Sequence, residues 1–173
     1  KIAETGKEIR LGFRYAPDLG LPENASYQKS SHKLGSQKED PLFSEFFTFL
    51  TLKKHNIHFE LLHTHFTINN RSSGIYNHVL HDLYRTLKYV LERWPTVKLQ
   101  ESISLGGGFH PYSPETVGEA TAFFRDIQNC FLRELENFKL VVEPGRFLVN
   151  SAGYVLTKVE DYKFKGNRHH III

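Results

Sequence analysis

The stretch KLVVEPGRF, from Lys139 to Phe147, places a carboxylate and a guanidinium directly after an apolar run. The apolar residues have the composition of a buried strand, and Glu143 ends the run, with Arg146 close behind it. Seen alone, this stretch is also typical of a surface turn with a Glu–Arg ion pair. It becomes a candidate site if neighbouring strands also end in polar residues, because ligands of parallel α/β sheets bind at the carboxyl ends of the strands.

A second candidate is the pair of histidines in HTHF, His63 and His65. Residues two apart on a strand point to the same face, so we expect the two imidazoles to do so. The spacing fits a zinc pair, an imidazole lying on an aromatic cofactor, or two histidines satisfied by local hydrogen bonds. A metal site would need further His or Asp ligands at other strand ends. Those ends supply Gly, Glu and Arg instead, so we predict no metal.

A third candidate is the run of three glycines from Gly106 to Gly108, which follows another apolar segment. Glycines at such a place let backbone N–H groups approach an anion, and a helix start at Ser113 favours negative charge nearby. A tight turn explains the same residues. The run matches neither the GxGxxG dinucleotide fingerprint nor the P-loop pattern.

Together these strand ends suit a cofactor that carries both a phosphate and an aromatic ring. A carboxylate at a partly dry site favours a cationic partner, and a protonated ring nitrogen next to Glu143 would be one. Pyridoxal phosphate (PLP) has that nitrogen, and its phosphate suits Arg146 and the glycines. Its protonated ring accepts electrons from carbanions at a substrate α-carbon. Arg14, at the end of the first strand, would support the site.

Strands and helices that alternate along the chain would position these residues. Residues 17 to 40 read as a long polar loop, and repeated strand–helix units predict an α/β fold with a parallel sheet, for which a doubly wound sheet and a (β/α)₈ barrel both fit. The predicted strands are Ile9 to Tyr15, Ile57 to Leu62, Gln100 to Leu105, the opening stretch, Gly153 to Tyr162 and Arg168 to Ile173. The predicted helices are Pro41 to about Asn56, Ile75 to Trp94 and a third starting at Ser113.

Composition narrows the function classes. The 173 residues suffice for one domain with a core, and scattered Lys and Arg with a net charge of +3 do not indicate a nucleic-acid surface. Apolar runs are too short for a membrane span. Cys130 is the only cysteine, so an internal disulfide is impossible; it reads as a helix residue, and a cytoplasmic location is predicted. The absence of Met and the ending HHIII suggest a segment of a longer polypeptide.

The segments HTHF, LGGGF and VVEPGRFLVNSAG, in this order, resemble the ornithine/diaminopimelate/arginine decarboxylase family. These are PLP enzymes with an alanine-racemase-like (β/α)₈ TIM barrel. The resemblance covers essentially the whole chain, and EPGR followed by AG is its most specific part. It implies about four βα units of the PLP-binding barrel in residues 1–152 and the start of a C-terminal β domain in residues 153–173. It also implies a homodimer with active sites at the subunit interface.

The resemblance implies a role for each candidate residue. His65 would stack on the cofactor ring, and Glu143 would pair with the pyridine nitrogen. The phosphate would be bound by Gly106, Gly107, Gly108, Gly145 and Arg146.

The chain departs from the family pattern at several places. Thr67 and Ile68 stand where a Gly-Ser pair is usual, and Ser104 stands where Asp or Asn is common. The lysine that forms a Schiff base with PLP, and the Cys and Asp that act on substrate across the dimer, belong to family segments outside this sequence.

These features predict PLP-dependent decarboxylation of a basic or diamino acid, a step of polyamine or lysine biosynthesis. One alternative is an inactive homologue that binds and regulates a partner decarboxylase, which the Thr67-Ile68 departure supports. A PLP-dependent racemase and a zinc hydrolase built on His63 and His65 are further alternatives.

Overall fold

Strands and helices alternate along the chain in the computed structural model, which describes residues 7–19, 34–52, 57–67, 69–153 and 156–172, without the side chains of residues 100, 101 and 114. The strands are β1 (Ile9–Arg14), β2 (Ile57–His63), β3 (Leu99–Ser104) and β4 (Lys139–Val141), followed by β5 (Asp161–Lys165) and β6 (Arg168–Ile172). The helices are α1 (Pro41–Leu52), α2 (Ser73–Arg93), α3 (Val117–Leu135) and the short α4 (Gly145–Val149), with a 3₁₀ turn at Pro114–Thr116 before α3.

The first four strands form one parallel sheet in the order β1-β2-β3-β4. Each strand pairs with the next one along the chain, and a helix lies between consecutive strands in sequence. This arrangement confirms the predicted α/β fold with a parallel sheet. The remaining two strands form a separate antiparallel hairpin whose residues are all exposed.

The two faces of the parallel sheet differ in chemistry. Phe13, Leu62, Ile103 and Leu140 are paired in register across the strands, and all four belong to or pack against the hydrophobic core. Because side chains alternate along a strand, the next row points to the opposite face. That row is Arg14, His63, Ser104 and Val141.

The core lies between the apolar row of the sheet and the helices. Helix α2 buries residues at three- and four-residue steps, as its sequence pattern predicts, and α3 does the same. Phe47 of α1 packs against Phe59 of β2 and against Trp94 with ring centroids 5.4 Å apart in both cases. Helix α1 begins as predicted, at Pro41, with the Asp40 carboxylate accepting the Leu42 N–H at 2.9 Å.

Two expectations from sequence were wrong in detail. The fifth strand was expected from Gly153, but it begins at Asp161, and its pairing with β6 runs from Asp161 to Lys165. The α4 helix directly after Pro144 was not predicted, because five residues are too short to show a helical period. The predicted loop between residues 20 and 33, and residues 53–56 of the predicted first helix, lie outside the described residues. No helix among the described ranges is long and apolar enough to cross a membrane.

Candidate functional site

The row formed by Arg14, His63, Ser104 and Val141 lies at the carboxyl edge of the sheet. The backbone ladder continues one step beyond the strands, with Thr64 N–H donating to Ser104 O at 2.9 Å and Leu105 N–H donating to Val141 O at 3.0 Å. Glu143 lies two residues beyond Val141, so strand alternation directs its side chain to the same face as His63 and Ser104. The Glu143 N–H donates to Gly106 O at 2.7 Å, which fixes its backbone beside the glycines.

The side chains of Glu143, His63 and Ser104 form one hydrogen-bonded cluster. His63 Nδ1 lies 3.0 Å from Ser104 Oγ and 3.4 Å from Glu143 Oε1. Ser104 Oγ lies 3.4 Å from the same Oε1 atom. Within the described residues, the Glu143 carboxylate therefore contacts His63 and Ser104 rather than Arg146. The surface Glu–Arg pair that the sequence alone allowed is not formed.

The side chains of this cluster differ in their exposure to solvent. The His63 side chain is 17% exposed, whereas the Glu143 side chain is 52% exposed. Burial lowers the pKa of the His63 imidazole below its usual value, with Arg14 and His65 acting in the same direction and Glu143 opposing them. A lowered pKa favours the neutral imidazole near neutral pH. The cluster therefore pairs an accessible carboxylate with buried neutral hydrogen-bonding groups.

The glycine run is required by the close approach of neighbouring strand ends. A Cβ atom on Gly106 would lie 2.4 Å from Thr64 O, and one on Gly107 would lie 2.6 Å from Glu143 O. Gly106 and Gly108 also adopt φ values of +63° and +82°, which favour glycine. These glycines therefore let the three loops after β2, β3 and β4 meet.

Most polar backbone atoms of the glycine run bond within the protein. The Gly106 N–H donates to Ser104 Oγ at 3.1 Å, and the Gly107 N–H points to His65 Nδ1 at 3.4 Å. The three glycine carbonyls accept from Glu143 N–H, the Tyr76 hydroxyl and Asn70 N–H. A phosphate at this run would therefore have to take over N–H groups now bonded within the chain, and the longer Gly107 bond is the weaker of the two.

His65 lies in the loop after β2, because the strand ends at His63 rather than running through both histidines. Its ring faces the glycine run, with Cε1 3.4 Å from the Cβ position of Gly107. Arg14 Nη2 donates to His65 O at 3.4 Å, so the first strand end contacts the second. The supporting role of Arg14 expected from the sequence stays a prediction.

Gly145 and Arg146 begin the short helix α4. A Cβ atom on Gly145 would meet no atom within 4 Å, so packing does not require a glycine there. Arg146 is exposed. Phe147 anchors the helix, with its ring centroid 5.2 Å from that of Phe124 and 6.2 Å from that of Tyr112. The structure thus brings His65, Glu143 and the glycine run together, while Arg146 stands at their margin on the next element.

Thr67 occupies the place where the family pattern has a glycine. It is buried at 1% exposure, and its hydroxyl has no hydrogen-bond partner among the described residues. Its Cγ2 atom lies 3.1 Å from the Cβ position of Gly108, so the side chain adjoins the glycine run. Ile68 lies outside the described residues. An unpartnered buried hydroxyl beside a glycine loop is a candidate contact for an anion.

Sequence reasoning assigned Ser104 no role and His63 only an alternative one. Their contacts depend on the register of β2 against β3, which pairs His63 with Ser104, and motif spacing does not show that register. The zinc alternative finds no geometric support in the described part of the chain, which contains no group of three or more His, Cys, Asp or Glu residues able to hold a metal ion.

Comparison with known proteins confirms the resemblance inferred from the motifs. Diaminopimelate decarboxylase of Aquifex aeolicus is 25% identical over 177 residues, which cover 97% of this chain and 39% of that protein. The chain therefore spans about two fifths of the length of this relative. No known family profile matches the chain.

The fold agrees with solved structures of the same enzyme class. Diaminopimelate decarboxylase of M. jannaschii matches with a TM-score of 0.67 and 21% identity, over 97% of this chain and 39% of that chain. Lysine decarboxylase of Selenomonas ruminantium matches with a TM-score of 0.65 and 19% identity, over 98% and 42%. Other neighbours include an arginine decarboxylase of Paramecium bursaria Chlorella virus and an SrLDC mutant in complex with PLP. Homologues and structural neighbours are thus diaminopimelate, arginine and lysine decarboxylases.

Proposed function

Because this chain resembles the ornithine/diaminopimelate/arginine decarboxylase family in both sequence and fold, we propose that the intact protein is a PLP-dependent decarboxylase of a basic or diamino acid. The observation that carries the proposal is the position of Glu143. Its carboxylate lies at the carboxyl edge of a parallel sheet, half exposed, and its backbone bonds to the glycine run. A carboxylate that is accessible and fixed beside the glycine run is placed to pair with a cationic group of a ligand.

The residues present fit PLP by their chemistry. A carboxylate, an imidazole, an exposed guanidinium and a glycine run stand at consecutive strand ends, and they match a ring nitrogen, a ring face and a phosphate. The unpartnered hydroxyl of Thr67 can donate a hydrogen bond to a phosphate oxygen. The open space at Gly145 leaves room for the phosphate. Thr67 would then supply the phosphate contact that the family pattern assigns to a serine.

Each side chain has a defined task in this proposal. When bound, PLP supplies an electron-withdrawing ring that accepts the electron pair left at the substrate α-carbon as the carboxylate departs as CO₂. Glu143 holds the proton on the ring nitrogen, because its negative charge stabilises the cationic form. His65 covers one ring face. Gly106, Gly107, Gly108, Gly145 and Arg146 bind the phosphate.

The sheet supports a (β/α)₈ barrel rather than a doubly wound fold. A doubly wound sheet reverses its strand order, whereas the order here is sequential through all four parallel strands. When the strand order does not reverse, right-handed crossovers place every connecting helix on the same face of the sheet. Here that face carries the apolar row. The opposite row, with Arg14, His63 and Ser104, would face the barrel interior. A homodimer with shared active sites is proposed from the family resemblance.

The test is the Glu143→Gln variant of the intact protein, with Glu134→Gln as matched control. Glu134 pairs with His81 on the helical side, at 3.3 Å. We expect the Glu143 variant to bind PLP roughly tenfold more weakly and to release CO₂ from basic amino acids roughly a hundredfold more slowly, because one preorganised charge is lost. The Glu134 variant should match the wild type.

Two results would contradict the proposal. Full activity of the Glu143→Gln variant would remove the role of this carboxylate. A wild-type protein that shows no PLP absorbance after reconstitution, and no CO₂ release from lysine, ornithine, arginine or diaminopimelate, would favour the inactive, partner-binding homologue.

A further inference from the structure

Two residues that the proposed function does not use lie in direct contact with Glu143. Ser104 is fully buried, and His63 is mostly buried, yet both reach the carboxylate of a half-exposed side chain. A half-exposed glutamate samples several rotamers in solution, and fixing one of them costs side-chain entropy. The contacts with His63 and Ser104 select one direction for the carboxylate, across the sheet edge.

One arrangement of hydrogens satisfies all these contacts. Ser104 Oγ accepts the Gly106 N–H at 3.1 Å, which leaves one lone pair and one hydrogen. Its hydrogen can donate to Glu143 Oε1 at 3.4 Å, while its second lone pair accepts a hydrogen from His63 Nδ1 at 3.0 Å. This requires the neutral His63 to carry its proton on Nδ1. The same Nδ1–H lies 3.4 Å from Glu143 Oε1.

We propose that His63 and Ser104 are positioning residues, which hold the Glu143 carboxylate aimed at the ligand side of the sheet edge. The inference rests on the proposed function, in which this carboxylate holds a proton on the ring nitrogen. The Ser104 hydroxyl donates directly to the carboxylate, and the His63 Nδ1–H, bonded to Ser104 Oγ, fixes the hydroxyl in that direction. Neither residue touches the cofactor in this role, and both act through Glu143.

Substitution of His63 by Asn or by Leu distinguishes the effect of the Nδ1 hydrogen bond from the effect of side-chain volume. The Asn side-chain nitrogen is attached to Cγ, as Nδ1 is in histidine, so His63→Asn keeps a donor at that place. His63→Leu fills space without a donor. His58→Leu is the matched control, because His58 lies on the same strand at its opposite end, where it pairs with Glu8 at 4.0 Å.

The experiment measures the PLP dissociation constant and kcat of the intact protein for each variant. We expect His63→Leu to weaken PLP binding and lower kcat by roughly tenfold each, as for the loss of a hydrogen bond to a charged group. His63→Asn should recover most of both, and His58→Leu should resemble the wild type. If His63→Leu fails to fold, judged by thermal unfolding, His63→Gln replaces it, because its amide is displaced one bond beyond Cγ.

The same substitutions in a Glu143→Gln background decide between direct and indirect action. If His63 acts through Glu143, His63→Leu adds little to the loss already caused by Glu143→Gln. An undiminished effect in that background, or an Asn variant as poor as the Leu variant, would overturn the inference and leave the proposed function standing. If Glu143→Gln changes neither affinity nor kcat, the proposed function fails first, and the inference fails with it.

Discussion

His63 and Glu143 meet across the end of a strand that lies between them. His63 ends β2 and Glu143 follows β4, and these two strands are not neighbours in the sheet. The side chains lie 3.4 Å apart over Ser104, which ends the intervening strand β3. The small size of serine permits this contact, and its hydroxyl bonds to both partners. The candidate site is therefore a property of three adjacent strand ends, held together by side chains as well as by the backbone ladder.

Two glycines of the site are expected to respond differently to the same substitution. Gly108→Ala should lower the free energy of unfolding by roughly 2 kcal/mol or more, because a Cβ would lie 2.1 Å from Thr67 O at a φ of +82°. Gly145→Ala should leave stability within about 0.5 kcal/mol of wild type, because nothing lies within 4 Å of its Cβ position. Urea denaturation of both variants checks this.

The same pair separates packing from ligand binding. If Gly145 leaves room for a phosphate, Gly145→Ala should weaken PLP binding despite its normal stability. Equal stability of the two variants would show that the close approach at Gly108 relaxes easily, and unchanged PLP affinity in Gly145→Ala would remove Gly145 from the phosphate site.

Asp82 of α2 should matter for stability although it lies outside the candidate site. Its buried carboxylate accepts from the Tyr15 hydroxyl at 2.8 Å and from Asp18 N–H at 3.1 Å, with Lys38 Nζ 3.6 Å away. Asp82→Ala should cost about 2–4 kcal/mol of unfolding free energy, because it leaves the buried Tyr15 hydroxyl without this acceptor. Asp82→Asn, which keeps one acceptor oxygen, should cost less. Thermal unfolding of the wild type and both variants measures these losses. Equal losses of stability in Asp82→Ala and Asp82→Asn would contradict the hydrogen-bond explanation.

Stability should fall as the pH drops through the range where unfolded histidine titrates. Burial and the positive charges of Arg14 and His65 lower the pKa of His63 from its usual 6.5, against the opposing effect of Glu143. In acid, the unfolded chain therefore takes up the His63 proton before the folded chain does. The contribution of His63 is present in full above pH 6.5 and is lost as the pH falls towards the lower folded pKa.

The His63→Asn variant isolates this effect, since its side chain does not titrate. Unfolding free energies measured between about pH 7.5 and about pH 5.5 should decline less steeply in the variant than in the wild type. Other histidines affect both proteins equally and cancel in the comparison. Identical slopes would mean that His63 has the same pKa in the folded and unfolded chains.

Local patterns predicted the elements because they reflect burial within single segments. The apolar period of α2 and the Asp40 cap of α1 each depend on neighbouring residues, and both elements lie close to their predicted positions. The start of β5 was misplaced, because a strand also needs a partner, and the described ladder between β5 and β6 starts at Asp161. The apolar residues before Asp161 are as typical of a strand as the residues after it. The register of the hairpin decides where the strand begins.

For the site, the motifs indicated which residues converge but not what they contact. His65, the glycine run and Glu143 were expected at one sheet edge, and they lie there. The bonds of Glu143 to His63 and Ser104 could not be predicted, since they require the register of β2, β3 and β4 to be known together. The assignment of His65 to the cofactor ring and of Arg146 to the phosphate stays a prediction.

The sequential strand order has a consequence for biosynthesis. A ribosome releases β1, β2, β3 and β4 in the order in which they pair, so each strand can join an edge that its predecessor has already formed. Glu143 follows the last of these strands and emerges after His63 and Ser104. The carboxylate thus emerges when the residues that orient it are already in place.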